Sequence, residues 1–180
     1  MKHLVILGAG TAGTMMANHL SHHLKRPEWR ISIIDERTEH HYQPGYLFLP
    51  FDIYEPEDIV KSIQEFIPKT VDLIQASIDR IVPQDNKVLM TDGSVVVYDI
   101  MIVATGAKIA PEETEGMKGS EWHQSVFDFY TFEGALNLRN KLRDWKGGKL
   151  VVHITEMPIK CPVAPLEFAF LADSYFKHKH

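Results

Sequence analysis

Three observations predict an α/β fold of the doubly wound kind. The chain opens as strand, glycine turn and helix, its second strand ends on an acid, Asp35, and a continuous apolar strand, Ile100-Met101-Ile102-Val103-Ala104, runs into Thr105-Gly106. A βαβ unit with glycines at its first turn begins a parallel sheet that carries ligands at the carboxyl ends of its strands.

The elements follow in order. His3–Leu7 is a short apolar run, and the spacing predicts a helix from about Thr11 to Leu24 with Met15, Met16, Ala17 and Leu20 as its apolar residues. Arg30–Ile34 is a second strand, closed by Asp35. The stretch from Glu36 to Pro56 is polar, aromatic and proline-rich without a period, and unpatterned segments of that length tend to carry function. A helix is expected over about Pro56–Phe66, with Glu57 and Asp58 suiting its positive start. A β-rich insertion comes next, with runs at Val71–Ser77, Asp79–Val82, Lys87–Thr91 and Val95–Tyr98, the last two joined by an Asp92-Gly93 turn. The chain then returns to the sheet at Ile100–Ala104, which reads as a central parallel strand because it is apolar throughout.

The linker Lys108–Gly119, rich in Pro, Glu and Gly, is the best internal boundary. Beyond it Phe129–Trp145 has helical spacing, Gly147-Gly148 stops it, Leu150–Ile154 reads as a new apolar strand and Ala164–Phe176 as a helix. The expected architecture is a three-layer Rossmann-like domain over residues 1–110, its mainly parallel sheet interrupted by a β-meander, then a linker over 111–128. Residues 129–180 are the incomplete opening βα of a second nucleotide-binding-like domain. No returning strand follows Phe176, so the natural protein is expected to continue past His180.

Composition narrows the function classes. The 180 residues, 44% hydrophobic, can bury a full core, and 19 Lys+Arg against 24 Asp+Glu give a net charge of −5. With no basic stripe interleaved with aromatics, nucleic acid is not an expected partner. No leader or long apolar window marks a signal peptide or a membrane span, so the chain is expected to be cytoplasmic or peripheral to a membrane. A single cysteine, Cys161, leaves a buried thiol, a reactive thiol, or half of a pair completed elsewhere.

The chemistry concentrates at two strand-to-helix turns. In Gly8-Ala9-Gly10-Thr11-Ala12-Gly13 the first glycine permits the tight turn, the second lets backbone approach a pyrophosphate and the third lets helix and strand pack closely. Asp35, about 20 residues on, is placed to accept from ribose hydroxyls. The second turn is different. Between Ile154 and Leu166 there is no glycine, while Pro158, Pro162 and Pro165 offer no N–H to a phosphate, so a nicotinamide dinucleotide is not expected there. It carries Cys161 beside Lys160 and near a helix start, both of which favour a thiolate. The paired histidines His22-His23 and His40-His41 lack metal-ligand spacing with a third partner, and no metal is expected. Glu167, six residues after the cysteine, reads as a surface or helix-start carboxylate sooner than as a proton acceptor, while Tyr42, Tyr46, Phe48 and Phe51 suit either a ligand wall or the core.

The glycine loop, Asp35 and Asp99-Ile100-Met101-Ile102-Val103-Ala104-Thr105-Gly106 resemble, in order and spacing, the FAD-binding signatures of the flavoproteins with two dinucleotide-binding domains. Within them, His41-Tyr42-Gln43-Pro44 and Pro158-Ile159-Lys160-Cys161 are similar to segments of the sulfide:quinone oxidoreductases and the related flavocytochrome c sulfide dehydrogenase flavoproteins. The resemblance implies an FAD-dependent oxidoreductase whose first domain holds the flavin through Gly8, Gly10, Thr11, Ala12, Gly13, Asp35, Glu36, Arg37, Gln43, Ser77, Ile78, Ala104, Thr105 and Gly106. It also implies a redox role for Cys161 with a partner cysteine in a C-terminal half, sulfide as donor and quinone as acceptor. Membrane attachment through that C-terminal part and homo-oligomers belong to the same implication. Some members carry a further cysteine after a Gln-Ser-like pair, where this chain has Gln124-Ser125-Val126-Phe127, which leaves the types that use two. The alternatives are a type II NADH dehydrogenase or other pyridine-nucleotide flavoprotein, and a truncated FAD-binding module. The 180 residues alone are not expected to turn over.

Overall fold

The computed structural model describes residues 1–179 as two compact units that interleave in sequence. The first comprises Met1–His41 and Val60–Ala107, the second Tyr42–Ile59 and Lys108 onward.

In the first unit β1 (Lys2–Leu7), α1 (Thr11–His23) and β2 (Trp29–Asp35) form the expected βαβ. Leu4, Val5, Ile6 and Leu7 are 0–3% exposed, because β1 is covered on both faces. Leu4 and Ile6 point with Ile31 and Ile33 towards Ala17 of α1. Val5 and Leu7 point with Ile34 the other way. The alternation puts a helix on one side and a β-meander on the other, giving three layers. Each side chain so buried contributes roughly 1.5–3 kcal/mol. On α1 Met16 and Leu20 pack on the core but Met15 is 66% exposed, since adjacent helix positions lie about 100° apart and cannot share one face.

Three further expectations are corrected. The helix over Pro56–Phe66 is instead a single turn, α2 (Pro56–Ile59), then a strand and a 3-10 turn (Ile63–Phe66). The interruption is Val60–Ser62, which pairs antiparallel with β3 (Glu39–His41) and so becomes β4. Ser62 then caps the turn in a capping box with Glu65. The run Val71–Ser77 is not part of the β insertion, because β5 (Asp72–Gln75) lies parallel to β2, Ser32 facing Asp72. The insertion proper is the antiparallel meander of β6 (Ile78–Val82), β7 (Lys87–Met90) and β8 (Val95–Val97), turned at Gly93 with φ +84°. Finally β9 (Ile100–Val103) pairs with β1 only. The sheet order β5-β2-β1-β9 makes it an edge among the described residues, with Val103 59% exposed. Its apolar run promised burial on both sides, yet neighbours cover it only in part.

In the second unit α3 (Phe132–Asp144) starts at Thr131, whose hydroxyl accepts from the Gly134 N–H, and α4 spans Ala164–Lys179. Leu138, Leu142, Phe168 and Ala172 pack with Leu47 and Phe51 from the 42–59 segment. Arg139, 4% exposed, donates to Asp52 at 2.5 Å and to Glu55 at 2.6 Å, and Arg143 donates to Asp52 at 2.7 Å. The unpatterned stretch is thus tied to α3 by a charge network. The strand expected over Leu150–Ile154 does not form. The segment has no ladder partner among the described residues, and Val151 is 69% exposed. A strand is made by its neighbours, and an apolar run alone does not supply them.

Candidate functional site

The carboxyl ends of β1, β2, β5 and β9 gather most of the residues that the sequence singled out. Gly8 has φ +93°, donates to the Ile34 carbonyl at 2.8 Å, and would place a Cβ 2.5 Å from the Ala104 carbonyl oxygen. A Cβ at Gly13 would run into the Gly8 carbonyl. These two glycines close the turn against its own neighbours. Gly10 is different, for a Cβ there would meet nothing within 4 Å. It leaves a backbone cradle open at the start of α1, where the Thr14 N–H is already bonded to Gly10 oxygen. The N–H groups of Thr11, Ala12 and Gly13 precede that bond, so they have no acceptor within the helix and favour an anion.

Asp35 holds this loop in place. Its Oδ2 accepts the Ala9 N–H at 2.6 Å and its Oδ1 the Arg37 N–H at 2.9 Å. Each carboxylate oxygen keeps a second lone pair for a sugar hydroxyl. Next to it the Ser77 hydroxyl donates to Glu36 at 2.7 Å, joining the end of β2 to the entry of β6 at Ile78. The Ala104 N–H donates to Leu7 oxygen at 2.7 Å, and the chain turns away through Thr105 to Gly106 at φ +74°. His40, to which sequence reasoning assigned no role, donates from Nδ1 to the Ala9 carbonyl at 3.2 Å and packs at a tilt against the Phe66 ring. An open glycine, helix-start N–H donors and an accepting carboxylate at the mouth are the groups that an adenine dinucleotide requires.

The remaining two sequence candidates, Gln43 and Cys161, lie in the second unit. Lys160 Nζ donates to Gln43 Oε1 at 2.8 Å, so the ammonium expected to attend the thiol is turned to an amide. Cys161 is exposed, which removes the reading of a buried thiol serving as a small hydrophobe. Its carbonyl accepts from the Tyr130 hydroxyl at 3.0 Å and from the Ala164 N–H at 3.3 Å, just before α4. Tyr130 is the residue that sequence reasoning missed. Lying in the expected helix Phe129–Trp145, it gave no signal of a bond 31 positions away. Burial first and the Cys161 charge second hold its phenol above the usual tyrosine value.

Residues 2–152 match the family of pyridine nucleotide-disulphide oxidoreductases. The chain belongs to that family. A pyridine nucleotide-disulphide oxidoreductase fold accounts for the parallel sheet, the glycine loop and the meander. Among sequence relatives, a mitochondrial sulfide:quinone oxidoreductase of Dictyostelium discoideum is 28% identical over 178 residues, 98% of this chain and 39% of the relative. A sulfide-quinone reductase of Aquifex aeolicus is 27% identical over 94% of this chain and 38% of its own length. A type II NADH:quinone oxidoreductase of Staphylococcus aureus is 29% identical over 65% of this chain and 29% of its own. The chain therefore spans about two-fifths of the sulfide:quinone oxidoreductases that it matches. In three dimensions the Aquifex aeolicus sulfide:quinone oxidoreductase superposes with a TM-score of 0.76 at 23% identity, over 99% of this chain and 40% of that one, which shows the shared fold. Family and relatives together indicate an FAD-binding flavoprotein oxidoreductase.

Proposed function

We propose that this chain is the flavin-holding part of a sulfide:quinone oxidoreductase-like enzyme, with Cys161 as its reacting thiol. The observation that carries the reading is the second turn. Where a nicotinamide dinucleotide would need glycines, residues 155–165 have none and present an exposed thiol instead. The sulfide:quinone oxidoreductase relatives match 98% and 94% of the chain, lengths that necessarily take in Cys161, against 65% for the NADH:quinone oxidoreductase.

The residues divide the work. Gly8, Gly10 and Gly13 with the first N–H groups of α1 bind the pyrophosphate, and Asp35 orients the sugar beside it. Glu36, Arg37, Ser77, Ile78, Ala104, Thr105 and Gly106 line the same strand ends, and Gln43 is a further flavin contact that the resemblance implies. FAD, when bound, supplies a two-electron acceptor. Cys161 takes up sulfide sulfur together with a second thiol that these 180 residues do not contain. Oxidation of that sulfur from −2 to 0 releases two electrons, for which FAD would be the first acceptor and a quinone the last. Among the described residues no helix is long and apolar enough to cross a membrane.

The test is an anaerobic flavin titration on the chain and on the chain extended into its downstream reading frame. The expected result is bleaching by sulfide that Cys161→Ser abolishes in the extended protein. Bleaching by NADH alone would favour the type II NADH dehydrogenase reading.

A further inference from the structure

The loop that carries Cys161 has no regular structure of its own between Trp145 and α4. Ladder bonds and helix bonds therefore do not define where its thiol sits. Beside the Ala164 N–H on the Cys161 carbonyl, two side-chain bonds from distant parts of the second unit do. The Tyr130 hydroxyl, at the entry to α3, donates to the carbonyl of Cys161 itself, and the neighbouring Lys160 ammonium donates to Gln43 from the 42–59 segment. One bond fixes the backbone of the reacting residue and the other the side chain before it.

We propose that Tyr130, together with the Gln43–Lys160 pair, positions the Cys161 thiol for reaction with a small sulfur nucleophile or electrophile. This rests on the assignment of Cys161 as the reacting thiol. Tyr130 is a positioning residue in this scheme. Its single O–H is committed to a carbonyl, so it does not itself deliver a proton to sulfur.

Cys161 is the only cysteine in the chain, so any thiol reagent reads this position alone. The experiment measures the rate of alkylation by iodoacetamide in the native protein and in urea, at pH values on either side of the ordinary thiol pKa of about 8.5. The ratio of native to unfolded rate isolates what the folded surroundings impose on the thiol. It should differ from one in the parent protein and move at least threefold towards one in Tyr130→Phe. It should move the same way in Lys160→Met, while Tyr54→Phe, elsewhere in the same unit, leaves it unchanged. A urea midpoint recorded for each variant separates loosened positioning from lost folding, and Lys160→Met decides the matter should Tyr130→Phe not fold. A parent ratio of one overturns the proposal, as does an unchanged ratio in folded Tyr130→Phe or, failing that variant, in Lys160→Met. Neither FAD nor sulfide is needed, so failure here is distinct from failure of sulfide to bleach the flavin.

Discussion

Lys160 Nζ donates to Gln43 Oε1 at 2.8 Å, joining residues 117 positions apart. Each lies in one of the two short segments, His41–Pro44 and Pro158–Cys161, that resemble sulfide-oxidising flavoproteins. An exposed bond of this kind contributes about 0.5–1 kcal/mol. Gln43→Ala and Lys160→Met should therefore be non-additive by about that amount in a double-mutant cycle followed by urea unfolding. Strict additivity would mean that the two side chains do not meet in solution.

The three glycines of the first turn should separate by function. Gly10→Ala adds a methyl to open space at an ordinary φ of −71°, so stability should change by no more than about 1 kcal/mol while FAD retention falls. Gly8→Ala combines φ +93° with a collision at Ala104 and should prevent stable folding. Thermal melts and flavin content after desalting would distinguish them. Equal flavin content in Gly10→Ala and the parent would argue against the cradle.

Arg139 is the buried centre of the network that secures the 42–59 segment to α3. Arg139→Ala removes the guanidinium partner of Glu55 and one of the two on Asp52, leaving Arg143 in place, and should lower stability by about 2 kcal/mol, read as a urea midpoint. Arg143→Ala, on an exposed side chain, should cost well under half as much.

Acid should weaken the protein in two stages. Burial holds His41 below its usual value against the pull of Glu39. Burial alone would raise the Asp52 carboxyl, but hydrogen bonds from Arg143 and Arg139 reverse this and hold it low. Both folded values lie below the unfolded ones, so both contributions are present above the unfolded pKa and are lost as pH falls. The first loss begins near pH 6.5 and the second only below about pH 4. Urea midpoints across this range should show both, with the upper stage absent in His41→Gln. An NMR titration of the His41 ring should place its midpoint below 6.5.

The first turn was legible because its chemistry is local. Gly8, Gly10, Gly13 and Asp35 follow a spacing that one strand and one helix impose, and the structure gathers them at the same strand ends. Long-range pairing was not legible. Val60–Ser62 reads as helix until Glu39–His41 pairs with it, and Leu150–Ile154 reads as strand although no strand pairs with it among the described residues. Burial of β9 was overestimated for the same reason, since an apolar run does not say how many neighbours it has. Cys161 stood out by its uniqueness, but its anchor Tyr130 did not, because a tyrosine at a helix entry has many ordinary uses.

The most direct test is anaerobic addition of sulfide to the FAD-loaded protein, extended into its downstream reading frame, with and without Cys161→Ser. Loss of the oxidised flavin spectrum in the parent and its persistence in the variant is the predicted result. A flavin that sulfide leaves oxidised while NADH reduces it would contradict the assignment.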